Sequence, residues 1–379
     1  MSETVTYFAT CARGLEPVLA QELRALSAQA VMPGRGGVSF AGDRALLYRA
    51  NLWLRTAVRV LMPILQTEVG DPDTLYAAVR SVNWERHLTP DHTLAVDANV
   101  RDSEITHSHY AALRVKDAIC DWFVERAGRR PSVDVENPLV KINLHLSRNR
   151  LVLSLDSSGA SLHKRGYRPV QVKAPLNEAL AAGLLVLSGW TPGQPLVDPM
   201  CGSGTFCIEA AWQALGRAPG LTRRRFGFMG WPDFDIRLWT HLRDQARTVM
   251  GKSLAAPILG SDLRGDAVQW SQTNAREAGV GHLLPFIQMD ARNRLPPPDV
   301  APGWLVCNPP YGERISEVQA TRQLQRELGA HLRAHWQGWR AWFFTPAQHL
   351  ATDLGLTPMA KIPLWNGRIP CHWWGFEIG

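Results

Sequence analysis

No apolar run in this 379-residue chain reaches the ~18 residues that a membrane-spanning helix needs. The opening stretch, MSETVTYFATCARGLEP, lacks the basic start and apolar core of a secretory signal. Cysteine is sparse and scattered. Cys11, Cys120, Cys201, Cys207, Cys307 and Cys371 include no pair at the C-x-x-C spacing of a zinc site. They read as reduced thiols, and no metal is expected. Fixed-period repeats and low-complexity tracts are missing as well. Together these absences point to a soluble cytoplasmic protein rather than a membrane, secreted, zinc-stapled or solenoid one.

What is present is a foldable composition, 45% hydrophobic and 20% charged. At about 150 residues per domain the length suggests two or three domains. The net charge is +7. That modest excess suits a polyanion, whose phosphates attract Lys and Arg at long range. Fifteen tryptophans is a high count. Most are expected in cores and domain interfaces, with a few free to stack on bases.

The first 170 residues read as α+β. A short strand at 7–10 precedes a helical pattern over 16–26, and VMPGRGGVSFAG reads as strand, turn, strand. Asp43 is placed to cap the helix ALLYRANLWL. A second unit starts near Val58, with the strand LAVDANV and a helix over 109–128. On that helix Leu113, Ala118, Ile119, Phe123 and Val124 are expected on one face. LVKINLHL, the turn SRNR and LVLSLDSSG form a hairpin signal. From about 174 strands and helices alternate, which predicts a parallel doubly wound sheet. It opens with the helical pattern APLNEALAAGLLVLSG and closes with a hairpin on Asn366-Gly367 that inserts an antiparallel strand. An Arg-, Trp- and Gly-rich insertion, 216–256, exceeds what a βαβ unit needs.

LVDPMCGSGTFCIEAA is the sharpest local signal. A strand ends at Asp198, a turn carries Gly202 and Gly204, and a helix begins. Glycines there let backbone approach a ligand at the carboxyl end of the sheet. Cys207 stands where a dinucleotide fingerprint has its third glycine, and Asp198 would repel a phosphate. A carboxylate suits a cation, and S-adenosylmethionine carries an ammonium and a sulfonium and no phosphate. A capped tight turn is the plainer alternative. Asp262 ends the next strand, where it can accept from ribose hydroxyls, and Asp290 ends the third, where it can accept from an adenine amino group. Strand-end acids are also common caps.

CNPPY ends the fourth strand on the same edge. An exocyclic amine is a poor nucleophile because its lone pair is delocalised into the ring. The Asn308 side-chain oxygen and the Pro309 carbonyl can accept its two N–H bonds, the prolines at 309 and 310 stiffen the corner, and Tyr311 offers a face for an unstacked base. The plainer reading is a Pro-Pro turn with a packed tyrosine. Cys307, one residue earlier, is expected to be a buried small residue rather than a nucleophile.

DPMCGSGT, APGL, GFMGW, CNPPYGER and SSGASLHKRGYR resemble, in order along nearly the whole chain, the bacterial 23S rRNA guanine-N2 methyltransferase family RlmL. The resemblance implies a Rossmann-like α/β class I methyltransferase with a seven-stranded sheet and C-terminal antiparallel hairpin, over 169–379. It implies that α+β ferredoxin-like (1–57) and THUMP (58–168) domains precede it. It implies S-adenosylmethionine held by Asp198, Pro199, Cys201, Gly202, Gly204, Thr205, Asp262, Asp290 and Asn308. Catalysis falls to Asn308, Pro309, Pro310 and Tyr311 on a guanine of 23S rRNA or a large-subunit precursor. Some relatives carry a second, 7-methylguanine domain that is expected to be absent after Gly379. A monomer is expected. The RNA-contact candidates are Lys141, Lys164, Arg165, Arg168, Arg223, Arg224 and Arg225, with Phe226 and Phe228 beside the last three for stacking. Glu178 is placed to cap the cofactor side. Alternative substrates for the same chemistry are tRNA guanine, DNA adenine and protein glutamine. A ribosome-assembly factor with a vestigial cofactor pocket is the reading from another class.

Overall fold

The computed structural model of the protein describes residues 4–169, 176–311 and 315–379. The start of the APLNEAL helical pattern (174–175) and the GER of CNPPYGER (312–314) lie outside the described residues. In the N-terminal half, β1 (Val5–Cys11), α1 (Glu16–Ala25), β2 (Gln29–Gly34), β3 (Gly37–Gly42), α2 (Arg44–Trp53) and β4 (Ala57–Glu68) come first. Asp43 caps α2, accepting from the Leu46 amide at 2.8 Å. Then follow α3 (Pro72–Arg80), β5 (Thr93–Arg101), α4 (Ser108–Ala127), β6 (Ser132–Val133), β7 (Val140–Ser147) and β8 (Arg150–Asp156). Arg148 and Asn149, between β7 and β8, both have positive φ, 52° and 61°. That is the primed-turn geometry of a two-residue hairpin.

These strands form a single eight-stranded sheet, in the order β2-β3-β1-β4-β8-β7-β5-β6. β4 joins the two N-terminal units, pairing with β1 on one side and β8 on the other. Pro63 has no N–H to give the ladder, and the β4–β8 register slips between Pro63 and Leu65. The expected face of α4 needs correction. Ala111, Val115, Ala118, Ile119, Trp122 and Phe123 are buried, while Leu113 and Val124 are exposed. Leu113 lies two positions from Ala111, about 200° round the helix, so it cannot share that stripe.

The C-terminal half runs α5 (Glu178–Leu187), β9 (Leu196–Asp198), α6 (Thr205–Ala214), α7 (Ile236–Thr248), β10 (Ile258–Asp262), α8 (Gly265–Glu277) and β11 (Phe286–Gln288). It continues with β12 (Trp304–Cys307), α9 (Ile315–His335), β13 (Arg340–Thr345), α10 (Leu350–Leu354), β14 (Pro358–Asn366) and β15 (Ile369–Glu377). The seven-stranded sheet has the order β11-β10-β9-β12-β13-β15-β14, and β15 runs antiparallel to both neighbours. After β9 the chain builds outward through β10 to β11. It then returns to β12 on the other side of β9, so β9 and β12 flank the switch point where open α/β sheets bind ligands.

The two halves interlock. Phe226, Phe228, Trp231, Trp239 and Leu242 of the 216–256 insertion are buried in the core of the N-terminal half. Phe228 stacks on Tyr48 of α2 with ring centroids 4.3 Å apart. Burying each of these rings contributes roughly 1.5–3 kcal/mol. In the other direction, Leu15 and Val18 at the start of α1 join Leu180, Leu184 and Leu364 in the catalytic core.

Candidate active site

Asp198 ends β9, Asp262 ends β10, and Asn308 follows β12 directly, so the sheet carries all three on one edge. They line one cavity of about 210 Å³, together with Cys201, Gly202, Thr205 and Trp270. The glycine corner is wound as its sequence requires. Gly202 and Gly204 have φ of 54° and 78°, a region L side chains rarely adopt. A Cβ on Gly202 would meet no protein atom within 4 Å, while one on Gly204 would press on Phe286 and Ser271 at 3.2 Å. The first glycine therefore faces open space beside the cavity, and the second lets α6 sit against β11.

The Gly202 amide donates to Asp262 Oδ2 at 2.9 Å, and the Arg264 amide donates to its Oδ1 at 3.0 Å. Asp262 is thus fixed by the corner and retains lone pairs for further donors. Asp198 is almost wholly buried and, among the described residues, accepts one hydrogen bond, from the Met200 amide at 3.2 Å. Burial, with Asp262 nearby, pushes its carboxyl well above the ordinary range. A buried acid with a single amide partner fits a cationic ligand.

Tyr311 Oη donates to Asn308 Oδ1 at 2.7 Å. The same hydroxyl lies within hydrogen-bonding reach of Asn366 and Cys371 on the terminal hairpin, and burial keeps it protonated. Asn308 Oδ1 has a second lone pair, so one acceptor site is left for a substrate. Pro309 is buried and Pro310 exposed. Cys307 is fully buried and its thiol is pushed well up by burial, so it offers no nucleophile.

Three family models match in chain order: the RlmL ferredoxin-like domain over 6–61, the THUMP domain over 70–156, and the RMKL-like methyltransferase domain over 165–374. The chain belongs to the RMKL-like methyltransferase family. It is 43% identical over 375 residues to the "Putative RNA methyltransferase slr0064" of Synechocystis, covering 99% of this chain and 97% of that one. It is 46% identical over 386 residues to the "Ribosomal RNA large subunit methyltransferase K/L" of Syntrophotalea carbinolica, covering all of this chain and 54% of the relative. The chain spans about half the length of the K/L relatives. Its fold superposes on the crystal structure of SMU.472 complexed with SAH at a TM-score of 0.90, with 31% identity over 100% of this chain and 99% of that one. Like that family's members, it is an S-adenosylmethionine-dependent methyltransferase.

The residues present fit this cofactor. Asp198 suits the ammonium, Gly202 leaves room for close approach, and Asp262 can accept from ribose hydroxyls. Cys201 and Thr205 complete the near wall, whereas Pro199 is buried and does not line the cavity. Asp290 needs correction. It does not line the cavity either, because its carboxylate accepts from the Arg292 amide at 2.9 Å and pairs with the Arg292 guanidinium at 2.5 Å. That guanidinium holds the carboxyl below its ordinary range. At this strand end the cap and ion pair take the acid. Seven wall residues escaped the sequence reading, Trp270 and Arg264 among them. Trp270, in the second turn of α8, lines the cavity half-buried, and the Arg264 guanidinium lies over its ring at 5.3 Å. Their signal was position at or just before the helix that follows the Asp262 strand.

The basic candidates divide sharply. Lys141, Lys164 and Arg225 meet, with Arg59, around a second cavity of about 340 Å³ between the THUMP strands and the insertion. Lys141 pairs with Asp97 at 2.7 Å and Arg59 with buried Asp156. Arg224 is exposed but does not line this cavity. Arg165, Arg168 and Arg223 are corrections. Arg165 is 1% exposed and faces the fully buried Glu209 of α6 at 3.5 Å. Arg223 is buried and donates to the carbonyls of Ser158, Ala160, Ser161 and Lys164, gathering the loop after β8. Arg168 donates to the Leu176 carbonyl at 2.8 Å and to the Thr205 hydroxyl. Phe226 and Phe228 stack on each other inside the core, so neither is free for a base. Side chains buried against carbonyls and carboxylates in this way are not placed to meet an RNA phosphate at the surface.

Proposed function

We propose that this protein transfers a methyl group from S-adenosylmethionine to the exocyclic N2 of a guanine in 23S rRNA, acting as a monomer in the cytoplasm. The observation that carries the reading is that Asn308 lines the same cavity as Asp198 and Asp262. An amide acceptor for the target amine and carboxylates for the cofactor therefore share one space. The rRNA assignment draws on the names of the K/L relatives, which align over the whole of this chain. Among the described residues no helix is long and apolar enough to cross a membrane, and no group of three metal-ligating side chains occurs.

When bound, the cofactor supplies an electrophilic methyl group. The chain supplies orientation. Asn308 Oδ1 and the Pro309 carbonyl accept from the two N–H bonds of the guanine amine and turn its lone pair out of the ring. Tyr311 carries the flipped base on its ring while its hydroxyl holds Asn308 in one rotamer. None of these groups forms a covalent bond to substrate. The ferredoxin-like and THUMP units act as one RNA-gripping body, with Lys164 and Arg225 at the basic cavity as its phosphate contacts.

The test is radiolabelled methyl transfer to protein-free, under-methylated 23S rRNA, followed by nucleoside analysis. Label in N2-methylguanosine is the expected result. Label in N6-methyladenosine would keep the chemistry and overturn the base. No label, with cofactor still bound, would overturn naked 23S rRNA as substrate.

A further inference from the structure

Arg168 sits among the basic residues after the THUMP strands, yet the hydrogen bonds of its side chain among the described residues go to the cofactor side of the molecule. The side chain is 11% exposed. One terminal nitrogen donates to both the Leu176 carbonyl and the Thr205 hydroxyl. Leu176 and Thr205 both line the cofactor cavity, and Thr205 is the first residue of α6. The Arg168 Nε lies 3.5 Å from Glu178 Oε1 at the start of α5 and makes no hydrogen bond among the described residues. One guanidinium thus joins the segment that enters α5, at Leu176, to the first residue of α6.

The cavity's charges leave a specific need. Asp198 answers the ammonium of the cofactor, and Asp262 faces the ribose. Among the described wall residues, the one positive charge left to answer the α-carboxylate is Arg264. Arg264, the arginine on the cavity wall, is committed to Asp266, with Nε donating at 3.0 Å, and lies over Trp270 on the α8 side. On the α5–α6 side, Ser203 and Thr205 present hydroxyls 3.3 Å apart, and the charge behind them is Arg168.

We infer that Arg168 is the positioning residue for the α-carboxylate of S-adenosylmethionine, aiming the Thr205 hydroxyl at it and supplying the balancing charge. The inference rests on the cofactor reading of the cavity. Because Arg168 accepts nothing, its bond to Thr205 Oγ1 leaves the threonine proton free to donate into the cavity. Glu178 offsets part of the guanidinium charge, which keeps the pair stable when no cofactor is bound.

The experiment compares two ligands by calorimetry on the full chain. S-adenosylhomocysteine has the α-carboxylate, and 5′-methylthioadenosine has the nucleoside and sulfur without it. Arg168→Met should weaken S-adenosylhomocysteine about 10-fold or more, the scale of one lost charge-assisted hydrogen bond, and leave methylthioadenosine within about 2-fold. Arg168→Lys should recover part of the loss. Thr205→Val leaves the guanidinium's other contacts in place and should show the same selectivity, which keeps the test open if Arg168→Met does not fold. Equal affinity of both variants and wild type for S-adenosylhomocysteine would overturn the inference. So would equal weakening of the two ligands, which marks a structural role. Failure of the wild type to bind either ligand would instead overturn the cofactor reading.

Discussion

Replacing Asn308 with alanine tests the chemistry most directly. Its side-chain oxygen has two lone pairs, one taken by Tyr311 Oη at 2.7 Å and one left for the substrate amine. Alanine removes the substrate acceptor in a partly buried site, where such oriented groups are worth about 2.7–4 kcal/mol in the transition state. The expected loss is therefore roughly 10²–10³-fold in kcat. Cofactor affinity should change little, because Asp198, Asp262 and the glycine corner are untouched. The assay is single-turnover methyl transfer at saturating cofactor, with S-adenosylhomocysteine binding measured in parallel by calorimetry. Tyr311→Phe serves as the internal control. It frees the second lone pair but loses the rotamer constraint on Asn308, so its turnover should fall less than that of Asn308→Ala. Turnover of Asn308→Ala within about 5-fold of wild type would refute the lone-pair argument, and parallel loss of cofactor binding would assign the residue to the cofactor instead.

Asp198 should make cofactor binding depend on pH. Its carboxyl is raised above the ordinary range by burial, and only the ionised form pairs with an ammonium. Affinity should rise with pH and binding should release a proton, which calorimetry in buffers of different ionisation enthalpy detects; proton uptake would refute the assignment. Glu209→Ala leaves Arg165 buried without its carboxylate and removes the acceptor 3.2 Å from Tyr167 Oη. Urea denaturation should show a loss of about 3–5 kcal/mol, and a loss under about 1 kcal/mol would mean the pair is not structural. Charge reversal at Lys164 or Arg225 should weaken RNA binding and lower its salt slope by about 1 each, with S-adenosylhomocysteine affinity unchanged. An unaltered slope would move the RNA to another face.

The sequence exposed most of what depends on local backbone chemistry. Asp43 before α2, the turns at Arg148–Asn149 and Asn366-Gly367, and the glycines after Asp198 each specify a backbone shape that few other residues allow. They stand in the structure where the pattern put them, except that the last turn falls one residue on, at Gly367–Arg368, with Asn366 still paired in β14. It was less legible where a residue's role depends on what the rest of the chain brings to it. Phe226 and Phe228 beside three arginines resemble a stacking platform, until Tyr48 and Trp239, distant in sequence, close over them. Arg165 and Arg223 look solvated until Glu209 and the carbonyls after β8 surround them. Asp290 has the position of an adenine acceptor, and Arg292 two residues on takes it. Charge type is written in the sequence; the identity of the partner is decided by tertiary packing.

The insertion that leaves the catalytic domain after α6 completes the core of the other half, and α1 returns the arrangement by lodging Leu15 in the catalytic core. A cut between residues 168 and 169 separates segments on paper but strips the first piece of Phe226, Phe228, Trp231 and Trp239. Grafting this RNA-binding half onto another enzyme would require transplanting 218–246 with it. Evolution faces the same constraint. The gripping surface and the reaction centre are inherited as one unit, so a lineage cannot exchange its RNA reader while keeping this catalyst unless both sides of the mortise change together.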